Sequence, residues 1–252
     1  MLESPARDLS SREKLVVMKP TLCPIVTCEH GGNLVPKAYS NSFRSAKRAL
    51  LSHRGYDPGA LELAKEIAEA IRSPCLYSKT TRLLVDLNRS VGHSALHSEF
   101  ISHLSADQLN DIVEAHYVPY RQSVIDAVQS VIAGGQVACH LSIHTFTPKL
   151  AGVVRHADVA VLYDPRRPRE KQLARDWLDA IDQEFPGLKR RRNYPYRGTA
   201  DGFTTYLRRN HSPNDYVGLE LEVNQRFPAA AGLTWSQLRR AITNAIGRLV
   251  RP

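Results

Sequence analysis

The segment QVACHLSI, residues 136–143, is a nearly continuous apolar run of the kind found in a strand buried on both faces. Such a strand needs cover on each side, so the question is what the flanking sequence supplies. PIVTC (24–28) and VAVLY (159–163) are further strand-like runs, YVGLELEV (216–223) is a late one, and CLYSK (75–79) and RLLVDL (82–87) are expected as short strands. Helical periodicity lies between them. Ala60 to Ile71 places Leu61, Ala64, Ala68 and Ile71 on one face. Ser105 with Gln108 has the spacing of a capping box opening a long helical stretch to Ala133, where Gly134 and Gly135 stop it. Pro119 is expected to bend or split that stretch. Pro168 to Phe185 reads as a helix. Thr234 with Gln237 offers a second capping box, ahead of an apolar face of Leu238, Ala241, Ile242, Ala245, Ile246 and Leu249.

Strand and helix alternate without a linker, repeat or shift in composition, which argues for one α/β domain over 20–252. The polar start, residues 1–19, is expected to be a flexible tail with no apolar core for a secretory signal. No apolar run approaches the ~20 residues of a membrane helix. Cys23, Cys28, Cys75 and Cys139 form no CxxC pair and sit in or beside apolar stretches, as expected of reduced thiols in a cytoplasmic protein. Cys28, beside His30, is the one cysteine placed as a candidate nucleophile. The net charge of +9 brings a nucleic-acid partner to mind, yet the densest basic run, KRRR at 189–192, lacks interleaved aromatics. A positive field serves a small anionic substrate equally well.

In open α/β sheets, sites lie beyond the carboxyl ends of the strands. Those ends carry an unusual set of residues here. CEHGGN (28–33) brings Glu29, His30 and Asn33 after the first strand, with two glycines that allow a tight turn or a close approach. Asn88 and Arg89 follow RLLVDL, His144 follows HLSI, and Glu220 and Glu222 sit in the last strand. A hydrolytic zinc site needs about three N or O ligands, an open position, a carboxylate base and a cation for an anionic substrate. Each role has a candidate. Each residue also has a plainer reading: His144 as a satisfied core histidine, Glu222 as a solvated or paired carboxylate, and Arg89 as a partner of Asp86.

With those residues assembled, seven segments in one order resemble the N-formylglutamate amidohydrolase family: CEHGGN (28–33), YDPGA (56–60), TRLLVDLNRS (81–90), HLSIHTFTP (140–148), VAVLYD (159–164), NYPYRGTADG (193–202) and LELEVNQ (219–225). They span roughly residues 24–227. The resemblance implies a fold akin to zinc carboxypeptidases and aspartoacylases, three α/β/α layers on a mixed sheet. It also implies hydrolysis of N-formyl-L-glutamate to formate and glutamate, a step in histidine breakdown, with one zinc or other divalent ion. Carried over, His30 and His144 match the histidine ligands, Glu222 the catalytic glutamate, and Asn88 with Arg89 the pair that holds a substrate carboxylate. Arg82 is expected to stabilise the oxyanion, and Tyr196, Arg197 and Asp201 of NYPYRGTADG to line the substrate site. One departure stands out. The wider group has His-x-x-Glu, whereas this chain has His30-Gly-Gly-Asn33, and an amide oxygen is a weaker zinc ligand than a carboxylate. Asn33 is therefore expected as third ligand with Glu29 or Asp57 as alternatives. Another N-acyl amino acid or small amide remains an alternative substrate, a non-enzymatic nucleic-acid-binding role is the distant rival, and the oligomeric state stays open.

Overall fold

The computed structural model describes residues 21–230 and 233–250; the expected tail at 1–19 lies outside the described residues. In chain order the strands are β1 (Leu22–Cys28), β2 (Cys75–Tyr77), β3 (Val137–Phe146), β4 (Lys149–Leu150), β5 (Val153–Val154), β6 (Val159–Leu162), β7 (Arg190–Arg192) and β8 (Tyr216–Asn224). The α-helices are α1 (Lys47–Leu50), α2 (Ala60–Ala70), α3 (Ala106–Ile112), α4 (Val118–Ala133), α5 (Pro168–Glu184), α6 (Phe203–Asn210), α7 (Arg226–Ala230) and α8 (Leu233–Val250). Six strands form one mixed sheet in the order β2-β1-β3-β8-β6-β7. The first four run parallel, and β6 meets β8 antiparallel. Strands β4 and β5 form a separate small hairpin. No helix among the described residues is long and apolar enough to cross a membrane.

Strand side chains alternate between faces, and here the two faces differ in chemistry. Cys139, Leu141 and Ile143 of β3 and Val217, Leu219, Leu221 and Val223 of β8 pack with Leu63 and Ile67 of α2, Trp177 of α5 and Ile242 and Ile246 of α8. On the opposite face Ile25, Ala138 and Tyr216 meet Val124 and Val128 of α4 and Phe203 and Leu207 of α6. The result is a three-layer α/β/α arrangement. All ten residues of β3 are buried, as its apolar run requires. Residues 140, 142 and 144 share the α4/α6 face, and there the apolar packing gives way to polar side chains toward the carboxyl end.

Several local expectations are corrected. RLLVDL is not a strand: a turn and a neighbouring loop satisfy its backbone, with Leu84 N donating to Thr81 O and Asp86 N to Leu96 O. Its Leu83, Leu84, Val85 and Leu87 bury in a separate cluster with Phe43, Ile101 and Ile112. CLYSK forms only the three-residue β2. The face of α2 runs through Ala60, Leu63, Ala64, Ile67 and Ala68, leaving Leu61 half-buried at its flank. The Ser105–Gln108 capping box is present with both bonds made. The long helical stretch is divided just ahead of Pro119: a π turn over Val113–Tyr117 separates α3 from α4, and Pro119, which has no N–H to give, is the second residue of α4. Thr234 is the second residue of α8 rather than its cap. All four cysteines are free, with Cys28 and Cys139 buried and the other two half-buried. Burial, with Glu29 and Asp57 nearby, pushes the Cys28 thiol well up, and the side chain sits among apolar residues under α2. That removes it as a nucleophile.

Candidate active site

Because β1, β3 and β8 are parallel, their carboxyl ends meet at one edge of the sheet, and their polar side chains meet on one face. His140, farthest inside, is a core residue: Nε2 pairs with Thr27 Oγ1 at 2.8 Å and Nδ1 with Tyr216 OH at 2.7 Å. Burial pushes its pKa down to about 4, which keeps it neutral. One step outward, Ser142 Oγ donates to Glu29 Oε2 at 2.7 Å and accepts from His144 Nε2 at 2.9 Å. At the edge His144 stands opposite Glu222 in the β3–β8 register.

The ligating atoms of His30, Asp57 and His144 lie within 4.8 Å of one another, and all three residues are buried. Both histidines turn Nδ1 toward Asp57 Oδ2, at 2.9 Å from His144 and 3.4 Å from His30. Both Nε2 atoms are held from behind. His30 Nε2 donates to Asp86 Oδ1 at 2.8 Å, and His144 Nε2 lies 3.3 Å from Glu29 Oε2. A carboxylate behind each imidazole fixes the ring and raises its basicity, the usual support of a metal-binding histidine. Burial alone would raise the Asp57 carboxyl, but the His30 charge, the His144 hydrogen bond and Arg82 outweigh it and hold it well below the usual carboxylate range. His144 is driven the other way: burial opposes its charge, yet Asp57 and Glu29 raise its pKa well up. Three buried carboxylates around two imidazoles thus demand positive charge. His30 Nδ1, buried, has no hydrogen-bond partner. Two nitrogens and a carboxylate oxygen are a donor set that suits zinc in a hydrolytic site.

Asp57 reaches the histidines because its own N–H donates to His30 O at 2.9 Å, which ties the loop before α2 to the end of β1. Asn33 lies apart. Its Nδ2 donates to Leu50 O at 2.9 Å. The cause is the glycine pair. A Cβ at Gly31 would stand 2.8 Å from Ser78 O, and one at Gly32 2.7 Å from Lys79 O, so the chain presses against the segment after β2 and carries Asn33 away from His30. Glu29 stands behind His144, accepting from Ser142 and, at 3.2 Å, from Tyr120 OH.

Glu222 is buried and its Oε2 has no partner. Burial pushes its carboxyl up to about 8; Asp57 and Glu220 add to this while the His144 charge opposes it. It lines a cavity of about 110 Å³ together with His30, Asp57, His144, Arg82 and Arg89. Asn88, Tyr196, Arg197 and Asp201 line the same cavity. Arg82 donates to Asp86 Oδ2 through Nη2 at 2.6 Å and approaches Asp57 Oδ1 at 3.5 Å. Arg89 Nη1 donates to Asp201 O at 2.9 Å, and the Asp201 carboxylate accepts from Ser90 N and Oγ, which clamps the loop that carries Arg89. Asn88 Oδ1 accepts from Phe203 N at 2.6 Å.

Four supporting residues went unread in the sequence. Asp86 was legible as the acid inside VDLNRS, but only the fold shows that it holds His30. Ser142 and Tyr120 act through Glu29. Arg121 lies 3.9 Å from the Phe203 ring centroid and donates to the carbonyls of Leu87 and Arg89, so it fixes the Asn88–Arg89 loop from below. No local signal marks an arginine in the middle of α4 for that task.

A family model described as N-formylglutamate amidohydrolase matches residues 23–227. No curated protein sequence matches the chain. Among solved structures, a gene product of Agrobacterium tumefaciens superposes with a TM-score of 0.74 at 25% identity, covering 92% of each chain. An N-formylglutamate amidohydrolase from Ralstonia eutropha superposes with a TM-score of 0.68 at 16% identity, covering 92% of this chain and 94% of that one. Both share the fold described above.

Proposed function

The chain belongs to the N-formylglutamate amidohydrolase family, whose members are hydrolases of amide bonds, and from that premise we propose that it cleaves N-formyl-L-glutamate to formate and L-glutamate. The observation that carries the reading is the His30–Asp57–His144 cluster, opening with an unpartnered Glu222 into the cavity that Arg89 lines. His30 and His144, each through Nδ1, and Asp57 would hold one divalent ion, zinc by the donor set. When bound, that ion supplies Lewis acidity toward a carbonyl and a water.

The remaining work belongs to the protein. Glu222 takes the proton of the attacking water and returns it to the departing amine nitrogen of glutamate. With a cation held by His30, Asp57 and His144, the Glu222 carboxyl, which burial raises, would ionise and serve as that base. Arg82, fixed by Asp86, offers positive charge to the formyl oxygen as it becomes an oxyanion. Arg89, with the Nδ2 of Asn88, whose Oδ1 is held by Phe203 N, binds the α-carboxylate. The cavity's modest volume favours a short acyl group over a long one. Hydrolysis of another N-acyl amino acid is the second reading, and it stands on the same cluster.

The deciding experiment is turnover of N-formyl-L-glutamate by purified protein, stripped of metal and refilled with zinc. Activity that disappears and returns supports both metal dependence and substrate. Firmly bound zinc without turnover of this compound overturns the substrate reading.

A further inference from the structure

Beside the catalytic cavity lies a second hollow of about 230 Å³. The two share Asp57, Arg82, Thr145 and Tyr196 as a common wall, whereas Asn88 and Arg89 line only the first. A ligand group that passes Tyr196 on the side away from Arg89 therefore enters the second. His53, Arg54 and Arg155 surround it.

The positive charge there is unevenly matched. Arg54 is paired with Glu99 and lies over Phe100. Arg82 is engaged by Asp86 and Asp57. Arg155 has no carboxylate partner among the described residues. Its Nη2 donates to Tyr196 OH at 3.2 Å, and its guanidinium lies 5.1 Å from that ring. Its Nη1 is sealed from solvent and meets no acceptor. A guanidinium is a rigid fork built for two parallel bonds to a carboxylate, and a buried donor without an acceptor is costly. The backbone below it is fixed, since Arg155 N donates to Pro148 O at 2.8 Å across the base of the β4–β5 hairpin. His53 feels the same field: burial, then Arg155, Arg54 and Arg82, push its pKa down.

We propose that this hollow is the subsite for the side-chain carboxylate of an N-acyl glutamate, with Arg155 as its specificity-determining residue. The proposal rests on the reading of the main cavity as an N-formylglutamate site. Arg89 and Arg155 then hold the two carboxylates on opposite flanks of the reacting amide, which explains a preference for a dicarboxylic amino acid that Arg89 alone cannot provide.

The test compares kcat/KM for N-formyl-L-glutamate with that for N-formyl-L-glutamine, which has the same length and no side-chain charge. The native protein is expected to prefer the acid by on the order of 100-fold. In Arg155→Met this preference falls at least tenfold, through KM rather than kcat, and Arg155→Lys, which keeps the charge without the fork, restores part of it. A preference in Arg155→Met equal to that of the native protein overturns the proposal. Should the native protein cleave neither compound, the substrate reading fails, and calorimetric titration with glutarate decides the subsite separately. Binding by the native protein that Arg155→Met lacks supports it, and equal binding, or none by either, overturns it.

Discussion

Glu222→Gln should make the metal-free protein more stable while it destroys activity. In the metal-free chain the Glu222 carboxyl is pushed up to about 8 from an ordinary 4.5, chiefly by burial. Between those two values the folded chain keeps a proton that the unfolded chain has released, so stability falls as pH rises from 4.5 to 8 and is flat on either side. At pH 7 the group lies 2.5 pH units above its unfolded value, and at about 1.4 kcal/mol per unit the loss is about 3 kcal/mol. The amide of Glu222→Gln has nearly the same shape and no proton to hold, so the variant escapes this loss. Urea unfolding of chelator-treated protein should therefore show the variant about 3 kcal/mol more stable at pH 7 and nearly equal at pH 4.5. Zinc should shrink the gap, because a nearby cation lets the native carboxyl ionise in place. Turnover by the zinc-loaded variant should drop by about 10² to 10⁴, the usual worth of a general base. A stability difference that is the same at pH 4.5 and pH 7 would refute the reasoning, since it would mean that burial does not hold the proton on Glu222.

Asp86→Asn removes the carboxylate behind His30 and should weaken zinc binding by about 10- to 100-fold, read by competition with a chromophoric chelator; native affinity would remove Asp86 from the support of the site. Arg89→Ala should raise KM for N-formyl-L-glutamate by on the order of 100-fold with a smaller change in kcat, and an unchanged KM would place the carboxylate elsewhere. Zinc at a thousand times its Kd should stabilise the native chain by about 4 kcal/mol in urea unfolding, an increment that His144→Ala must lose. His140, pushed down to about 4 from an ordinary 6.5, stays neutral in the fold while the unfolded chain takes up a proton, so stability falls as pH drops from 6.5 to 4, by up to about 3 kcal/mol. His140→Gln should flatten that acid slope in urea unfolding; a slope equal to the native one would show that His140 takes up its proton in the fold as well.

The sheet was legible where its strands are long. A nearly continuous apolar run such as VACHLSI suits a strand under cover on both faces, and alternation then assigns His140, Ser142 and His144 to one side. RLLVDL misled because burial without strand pairing produces the same apolar letters; its hydrophobic side chains serve a cluster, and its backbone bonds go to a turn and to the loops at Gly55 and Leu96. At the site, His30, His144 and Glu222 were legible as residues at strand ends, while the roles expected of them came from the resemblance to the family. The separation of Asn33 from His30 was not legible, because it depends on how closely Gly31 and Gly32 approach the backbone of Ser78 and Lys79, a contact between segments some 45 positions apart in sequence. Arg121 was hidden for the same reason. Its purpose lies in the carbonyls of a loop that α4 meets only after folding.

The run KRRR, which raised nucleic acid as a partner, contains the last strand of the sheet. Arg190 to Arg192 form β7 at one open edge, with Arg190 paired to Asp179 and Asp182, while the other edge is the three-residue β2. An open edge invites a second chain to continue the hydrogen-bond ladder. Two β7 edges laid side by side would bring like-charged guanidinium rows together, and β2 is too short to anchor a neighbour. The sheet is thus closed to growth at both ends by charge on one side and by length on the other. Continuing this sheet into a neighbouring copy therefore meets charge repulsion at β7 and little backbone to pair with at β2.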